Sequence, residues 1–266
     1  MTVVAAVSLA ALSCSEKETE AITYENNYEQ ALEKNDSCTV KISHKVEYYR
    51  SFEGGRQLRG KINDFIVEAC FGKEYSGLTV EEASDALSDS LMADYQVYAG
   101  RYYDEDIAFA KANGNNSDYA PATLNWYNIT SGSFAGVFGK LQTYQVYSEY
   151  YQGGAHGMHY WLPYVIDLRT GGIVTESELF LSGYEAPVAE LIKRSLNGEW
   201  GNDCVADDLF DVNEVVPNGK CGVSGGGVTW YYQLYEIAPY SQGIIETIVP
   251  LEELKPYLNP EYVVVD

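Results

Sequence analysis

The chain of 266 residues is long enough for one large domain or two modest ones around a real hydrophobic core. Its 46% apolar and 21% charged residues exclude a disordered chain, and its formal net charge of −22 speaks against nucleic acid as a partner, because phosphates would be repelled. The acidity is not confined to a tail: residues 1–150 carry 22 acidic and 12 basic side chains, residues 151–266 carry 17 and 5.

The first residues, "MTVVAAVSLAALSCS", read as an apolar run ending in small residues and Cys14. The run is too short to span a membrane, which takes about 20 apolar residues. It resembles a bacterial lipoprotein signal peptide, residues 1–13, whose removal leaves Cys14 as the lipidated first residue. The match departs from the pattern in two places. No Lys or Arg precedes the apolar run, and Ala11 stands where such signals prefer Leu. Residues 14–37 are polar and acidic, without hydrophobic period, and are expected to form a tether. The acidic run after Cys14 resembles signals that direct some Bacteroidetes lipoproteins to the cell surface.

Residues 38–50 alternate β-branched and aromatic side chains and predict a strand. Leu58, Ile62, Phe65, Ile66 and Ala69 recur at helical steps and predict a helix closed by Gly72. A second helix is expected from Thr79, with Glu82 completing a capping box and a core stripe through Leu87, Leu91, Tyr95, Tyr98 and Tyr102. From residue 122 the period changes to two. Strands are expected on either side of a Gly-rich turn near Ser131–Ser133, followed by the strand "HYWLPYVIDL" and a tight turn at Arg169–Gly172. Thr175 and Glu178 form a second capping box, and Val188, Leu191, Ile192 and Leu196 mark a short helix. "VTWYYQLYEI", "GIIETIVP" and "YVVV" predict further strands, with "LEELKPYL" as a helical turn. Helices and strands in blocks, without βαβ alternation, predict an α+β fold of antiparallel sheets with packed helices and two intimately joined subdomains, residues 38–157 and 158–266.

Beyond Cys14, the cysteines are Cys38, Cys70, Cys204 and Cys221. Export would permit disulfides. Cys204 and Cys221 flank a loop-like stretch and are the expected pair, worth ~3 kcal/mol in the chain-entropy model. Cys70 lies on the apolar face of the first helix and reads as a buried thiol.

The stretch "YYQGGAHGMHY" gathers Tyr150, Tyr151, His156, His159 and Tyr160 around Gly153, Gly154 and Gly157. These aromatic and imidazole side chains are the candidate binding residues. The three glycines are read as a turn needing positive φ or close backbone approach. His156 and His159 have an HxxH spacing, but residues three apart on a strand point to opposite faces, so a metal site is not expected. "GVSGG", Gly222–Gly226, fits G-x-S-x-G literally but precedes a strand, and reads as a hairpin loop. No phosphate-binding loop or dinucleotide fingerprint appears, and no cofactor is expected. Tyrosine is the outlier at 24 residues against 8 phenylalanines, and it suits half-wet strands and interfaces.

Two pieces, "YQGGAHGMHYWLPYVIDLRTGGIVTESELF" and "GVTWYYQLYEIAPYSQGIIETIVPLEEL", taken in this order resemble the paired extracytoplasmic domains of the anti-sigma factor RsiV. The same domains precede the catalytic domain of the peptidoglycan deacetylase PdaC. The resemblance covers residues from about 38 to the end. It implies an α+β binding domain outside the cell, and in RsiV the ligand is lysozyme. The expectation is therefore an envelope lipoprotein, anchored by lipid alone, that acts as a non-enzymatic binding module. Its expected ligand is a cationic protein such as lysozyme or a cell-wall component. An envelope hydrolase or carbohydrate-acting enzyme, and a scaffold domain without its own ligand, remain the alternatives.

Overall fold

The structure, a computed structural model, describes residues 18–114 and 121–262. The signal peptide, Cys14 and the end of the "YVVV" strand lie outside the described residues. Strands β1 (Glu20–Leu32) and β2 (Asn35–Ser51) form a long antiparallel hairpin. Helices α1 (Arg56–Phe71) and α2 (Val80–Ala112) follow, and the chain re-enters the sheet as β3 (Trp126–Phe138), parallel to β2. β4 (Leu141–Tyr151), β5 (Met158–Asp167) and β6 (Gly172–Val174) then add antiparallel, so the six strands stand in sequence order. After α3 (Glu176–Leu179) and α4 (Glu185–Leu196), a second sheet of β7 (Cys221–Val223), β8 (Gly227–Tyr232) and β9 (Ile245–Pro250) forms, and α5 (Leu251–Leu254) ends it. The architecture is α+β with two subdomains, as the blocks of elements predict.

Local chemistry sets the helix starts. The Thr79 hydroxyl accepts from Glu82 N–H at 3.2 Å while the Glu82 carboxylate accepts from Thr79 N–H at 2.9 Å, satisfying donors that the first turn of α2 cannot pair itself. The Glu178 carboxylate likewise accepts from Thr175 N–H at 2.8 Å. α1 and α2 cover one face of the large sheet. Ile62, Ile66, Val67 and Phe71 meet Val46, Tyr144, Val146 and Ile166 there, and Tyr95 and Ala99 meet Val40, Ile42 and Trp126. Among the described residues, no helix is long and apolar enough to cross a membrane.

The structure departs from the sequence expectations in five places. From Glu20 onward the expected tether is strand β1. Its inward positions run Ile22, Tyr24, Asn26, Tyr28, Gln30 and Leu32, and Asn26 Nδ2 donates to the Tyr24 and Tyr28 hydroxyls at 3.1 and 3.0 Å, so polar residues satisfy one another over most of what would be an aliphatic stripe. The expected turn at Ser131–Ser133 is mid-strand in β3. Gly132 is small because a Cβ there would stand 2.3 Å from the Tyr144 hydroxyl and 2.6 Å from Cys70 Sγ. The boundary between residues 157 and 158 falls inside the β4–β5 hairpin of one continuous sheet. On α2 the buried path runs through Ser84, Ser88, Tyr95 and Ala99, leaving Tyr98 and Tyr102 outside at 47% and 41% exposure. There the Arg101 guanidinium lies over both rings.

The fifth correction is the disulfide. Cys204 and Cys221 are separate thiols. Cys221 points from β7 into the core beside Glu176, and burial together with that carboxylate pushes its thiol up. Cys204 sits on the surface, bridged through its backbone to Asn197 after α4. Cys70 is buried as expected, 3.8 Å from the Tyr144 hydroxyl, and burial raises it to about 12.

Candidate binding site

Alternation along β4 sends Tyr144 and Val146 to the helices and Gln145, Tyr147, Glu149 and Tyr151 to the opposite face. That face is not roofed by helices. The strand registers align Tyr127 with Tyr151, Ile129 with Glu149, Glu149 with His159, and Tyr147 with Trp161. The second sheet packs over the Leu141–Gln145 end of this face, where Thr143 Oγ1 donates to Val223 C=O at 2.8 Å, and it continues along β5. Gln233 acts there as a surrogate strand partner. Its Oε1 accepts from Trp161 N–H at 3.0 Å and its Nε2 donates to Trp161 C=O at 2.9 Å. The Trp161 ring stacks on Tyr231, 6.0 Å between centroids. Beyond Gln233, Tyr235 and Tyr240 are carried over the β4–β5 loop.

Glu149 is the centre of the arrangement. Its Oε1 accepts the Tyr127 hydroxyl at 2.9 Å and its Oε2 accepts the Tyr147 hydroxyl at 2.6 Å. Burial, then the bond to Glu149, pushes both tyrosine hydroxyls above their ordinary range, so both remain donors at neutral pH. His159 and Trp161 lie 6.2 and 6.0 Å from Tyr147 between ring centroids. Tyr240 closes the rim, 6.3 Å from His159 and stacked on His156 at 4.0 Å.

The glycines make this possible in two ways. Gly153 and Gly154 have φ of 93° and 99°, a conformation that L side chains rarely adopt. Gly157 serves close approach instead, because a Cβ there would stand 2.7 Å from the Tyr127 hydroxyl and 2.9 Å from Tyr150 C=O. The Gly157 carbonyl accepts from Tyr240 OH at 2.9 Å and from His156 Nδ1 at 3.0 Å. His156 Nδ1 therefore donates, and Nε2 lies 3.4 Å from the Tyr235 hydroxyl. Tyr235 holds this position with φ of 64°, one of two positive-φ non-glycine residues among the described ones. Strain at an exposed aromatic over a loop is the kind of feature that marks functional sites.

The candidate residues of the sequence therefore divide. Tyr151, His156 and His159 stand on or beside the open face. Tyr150 and Tyr160 turn to the helix side, where their rings stack at 6.4 Å. Tyr127, Tyr147, Glu149, Trp161, Tyr235 and Tyr240 complete the constellation and were not singled out from sequence. The i, i+2 pair Tyr147 and Glu149 on one strand was the readable signal. Trp161 stands two residues from His159 on the same strand, and Tyr127, Tyr235 and Tyr240 come from strands and loops remote in sequence.

Among the described residues, no group of three or more His, Cys, Asp or Glu is arranged to hold a metal ion. "GVSGG" is the β7–β8 hairpin, with Ser224 N–H donating to Gly227 C=O at 2.9 Å. A separate cavity of about 560 Å³ lies where β5 and β6 meet α3 and β7. Its walls are mostly apolar, and its carboxylate, Glu176, is engaged by internal donors: Tyr184 OH at 2.7 Å, Trp230 Nε1 at 2.7 Å and Gly219 N–H at 3.1 Å.

No curated protein sequence matches the chain. Several solved structures share its fold, and two of them are described as DUF3298 proteins. One is a member of the DUF3298 family from Bacteroides fragilis, with a TM-score of 0.76 and 19% identity over 92% of this chain and 95% of that one. The other is a DUF3298 family protein from Pseudomonas aeruginosa PAO1, with a TM-score of 0.61 and 13% identity over 93% of this chain and 98% of that one. Residues 177–252, from α3 to α5, match the family described as "Protein of unknown function (DUF3298)", and the chain shares its fold with proteins of that family.

Proposed function

We propose that this chain is a non-enzymatic binding module of the bacterial envelope, held by a lipid on Cys14, and that the open face around Glu149 is its binding surface. The ligand is a cationic protein, with lysozyme the first candidate. The observation that carries this reading is the unroofed aromatic face centred on a carboxylate. Half-exposed tyrosine, tryptophan and histidine rings supply contact area at low entropic cost, and the carboxylate supplies a charge for a basic partner. The net charge of −22 supports it by drawing basic proteins in over long range. The resemblance of the two C-terminal pieces to the domains of RsiV adds lysozyme as the specific expectation.

The test is retention of lysozyme by the immobilised chain at low and physiological salt. Retention is expected at both, weaker at the higher salt because the long-range attraction is screened beyond about 8 Å at 0.15 M. No retention at either salt would overturn the lysozyme assignment.

A further inference from the structure

We infer that Glu149 and the rings around it form a seat for a single cationic side chain of the partner, with a guanidinium fitting best. This rests on the reading of the open face as the binding surface and adds what that surface takes.

Three observations carry it. First, the carboxylate has hydrogen-bond donors but no counter-charge. Tyr127 and Tyr147 supply one hydroxyl to each oxygen, and such neutral donors bring no opposite charge. Among the described residues, no ion pair reaches Glu149. The lysines of β2 on the same face turn the other way, Lys41 to Glu29 at 3.5 Å and Lys45 to Glu25 at 3.7 Å.

Second, ring systems gather about the carboxylate, with Ile129 as its aliphatic neighbour across the β3–β4 pair. Tyr147 has His159 and Trp161 about it, and Tyr240 stands next to His159. A cation within about 6 Å of such rings is attracted by their negative faces, and the attraction grows where water is partly excluded. A planar guanidinium can lie against a ring while its fork of N–H groups reaches carboxylate oxygens; a compact ammonium makes the charge contact without the stacking.

Third, the wall opposite β4 is built separately and fixed in place. Tyr240 is held by its hydroxyl on Gly157 C=O and by stacking on His156, and Tyr235 leans on His156 from a positive-φ backbone. The chain spends a strained residue and a glycine-rich loop on placing two tyrosines beside a carboxylate that already lies on a rigid strand. A packing role alone does not call for exposed rings: Tyr235 is 52% exposed.

The experiment titrates the full chain with a short tri-arginine peptide, a tri-lysine peptide and a neutral N-acetylglucosamine oligomer, following tryptophan fluorescence or heat. Tri-arginine is expected to bind more tightly than tri-lysine, and the sugar to bind least. Glu149→Gln is expected to weaken tri-arginine about tenfold or more, as loss of a charge-assisted contact implies. Glu252→Gln removes one exposed acid elsewhere and is expected to leave binding within about twofold. Equal affinity in the Glu149→Gln and wild-type chains, with both unfolding at the same urea concentration, would overturn the seat, and so would tighter binding of the neutral sugar. The two readings separate cleanly. Lysozyme retained equally by Glu149→Gln sinks the seat and leaves the binding module. Glu149-dependent binding of arginine without lysozyme retention leaves the seat and sinks lysozyme as the partner.

Discussion

Replacing Glu176 by alanine is expected to destabilise the fold by about 3–5 kcal/mol, because it strands several buried donors at once. Glu176 is 7% exposed and sits at the start of α3, where the large sheet hands the chain to the second subdomain. Its Oε1 takes the Tyr184 hydroxyl, and its Oε2 takes the Trp230 indole N–H and the Gly219 backbone N–H. Trp230 is fully buried in the core of the C-terminal subdomain, so its indole N–H has no solvent to turn to. One carboxylate thus ties α3, α4, the 219 loop and β8 together. Glu176→Gln keeps the shape and one good acceptor, and should cost about 1–2 kcal/mol. Urea unfolding of the three chains checks this. A loss below about 1 kcal/mol in Glu176→Ala would show that the donors find other partners.

Acidification from pH 6.5 to pH 4 is expected to remove about 3 kcal/mol of stability through one residue, His44. His44 is fully buried between β2 and α2. Its Nδ1 lies 2.7 Å from the Ser84 hydroxyl, which lies 3.1 Å from Tyr28 OH, and Tyr28 donates to Asp85 at 2.6 Å. Phe71 meets the ring edge-on at 5.2 Å, and Nε2 has no partner among the described residues. Burial lowers the imidazole to about 4, with the Asp85 charge opposing. Above pH 6.5 His44 is neutral in both the folded and unfolded chain, so its contribution is constant. Below 6.5 the unfolded chain takes up a proton that the folded chain refuses until about pH 4, so stability falls by about 1.4 kcal/mol per pH unit in that window. The interval from 6.5 to 5, above the range of ordinary carboxylates, isolates the effect. His44→Leu, neutral at every pH, is expected to flatten it. An unchanged slope in that variant would assign the acid lability elsewhere.

Features settled by neighbours in sequence were legible. The two capping boxes, Thr79 with Glu82 and Thr175 with Glu178, depend on residues three apart, and their geometry is local. The β5–β6 turn is likewise local. β1 was not legible because Tyr24, Asn26 and Tyr28 bury hydroxyls and an amide that satisfy one another, which removes the apolar alternation that announces a strand. Cys204 and Cys221 were paired on their nearness in sequence, whereas the direction of each side chain is set by β7 and the end of α4. The glycine–histidine stretch pointed to the right place for the site, since Gly157 makes room for Tyr127 and His156 supports Tyr240. Its chemical centre, Glu149, looked like any other acid among 39. Only the strand register sets it between Tyr127 and Tyr147, and only the tertiary fold brings Tyr240 across.

The most direct test of the open face as a binding surface is hydrogen–deuterium exchange of the full chain with and without lysozyme. Added protection is expected in residues 127–151, in the 152–161 loop and strand, and in the 233–243 segment, with the outer face of α2 unchanged. Protection confined to α2, or to the cavity between β5, β6 and α3, would place the partner on another surface and contradict the account.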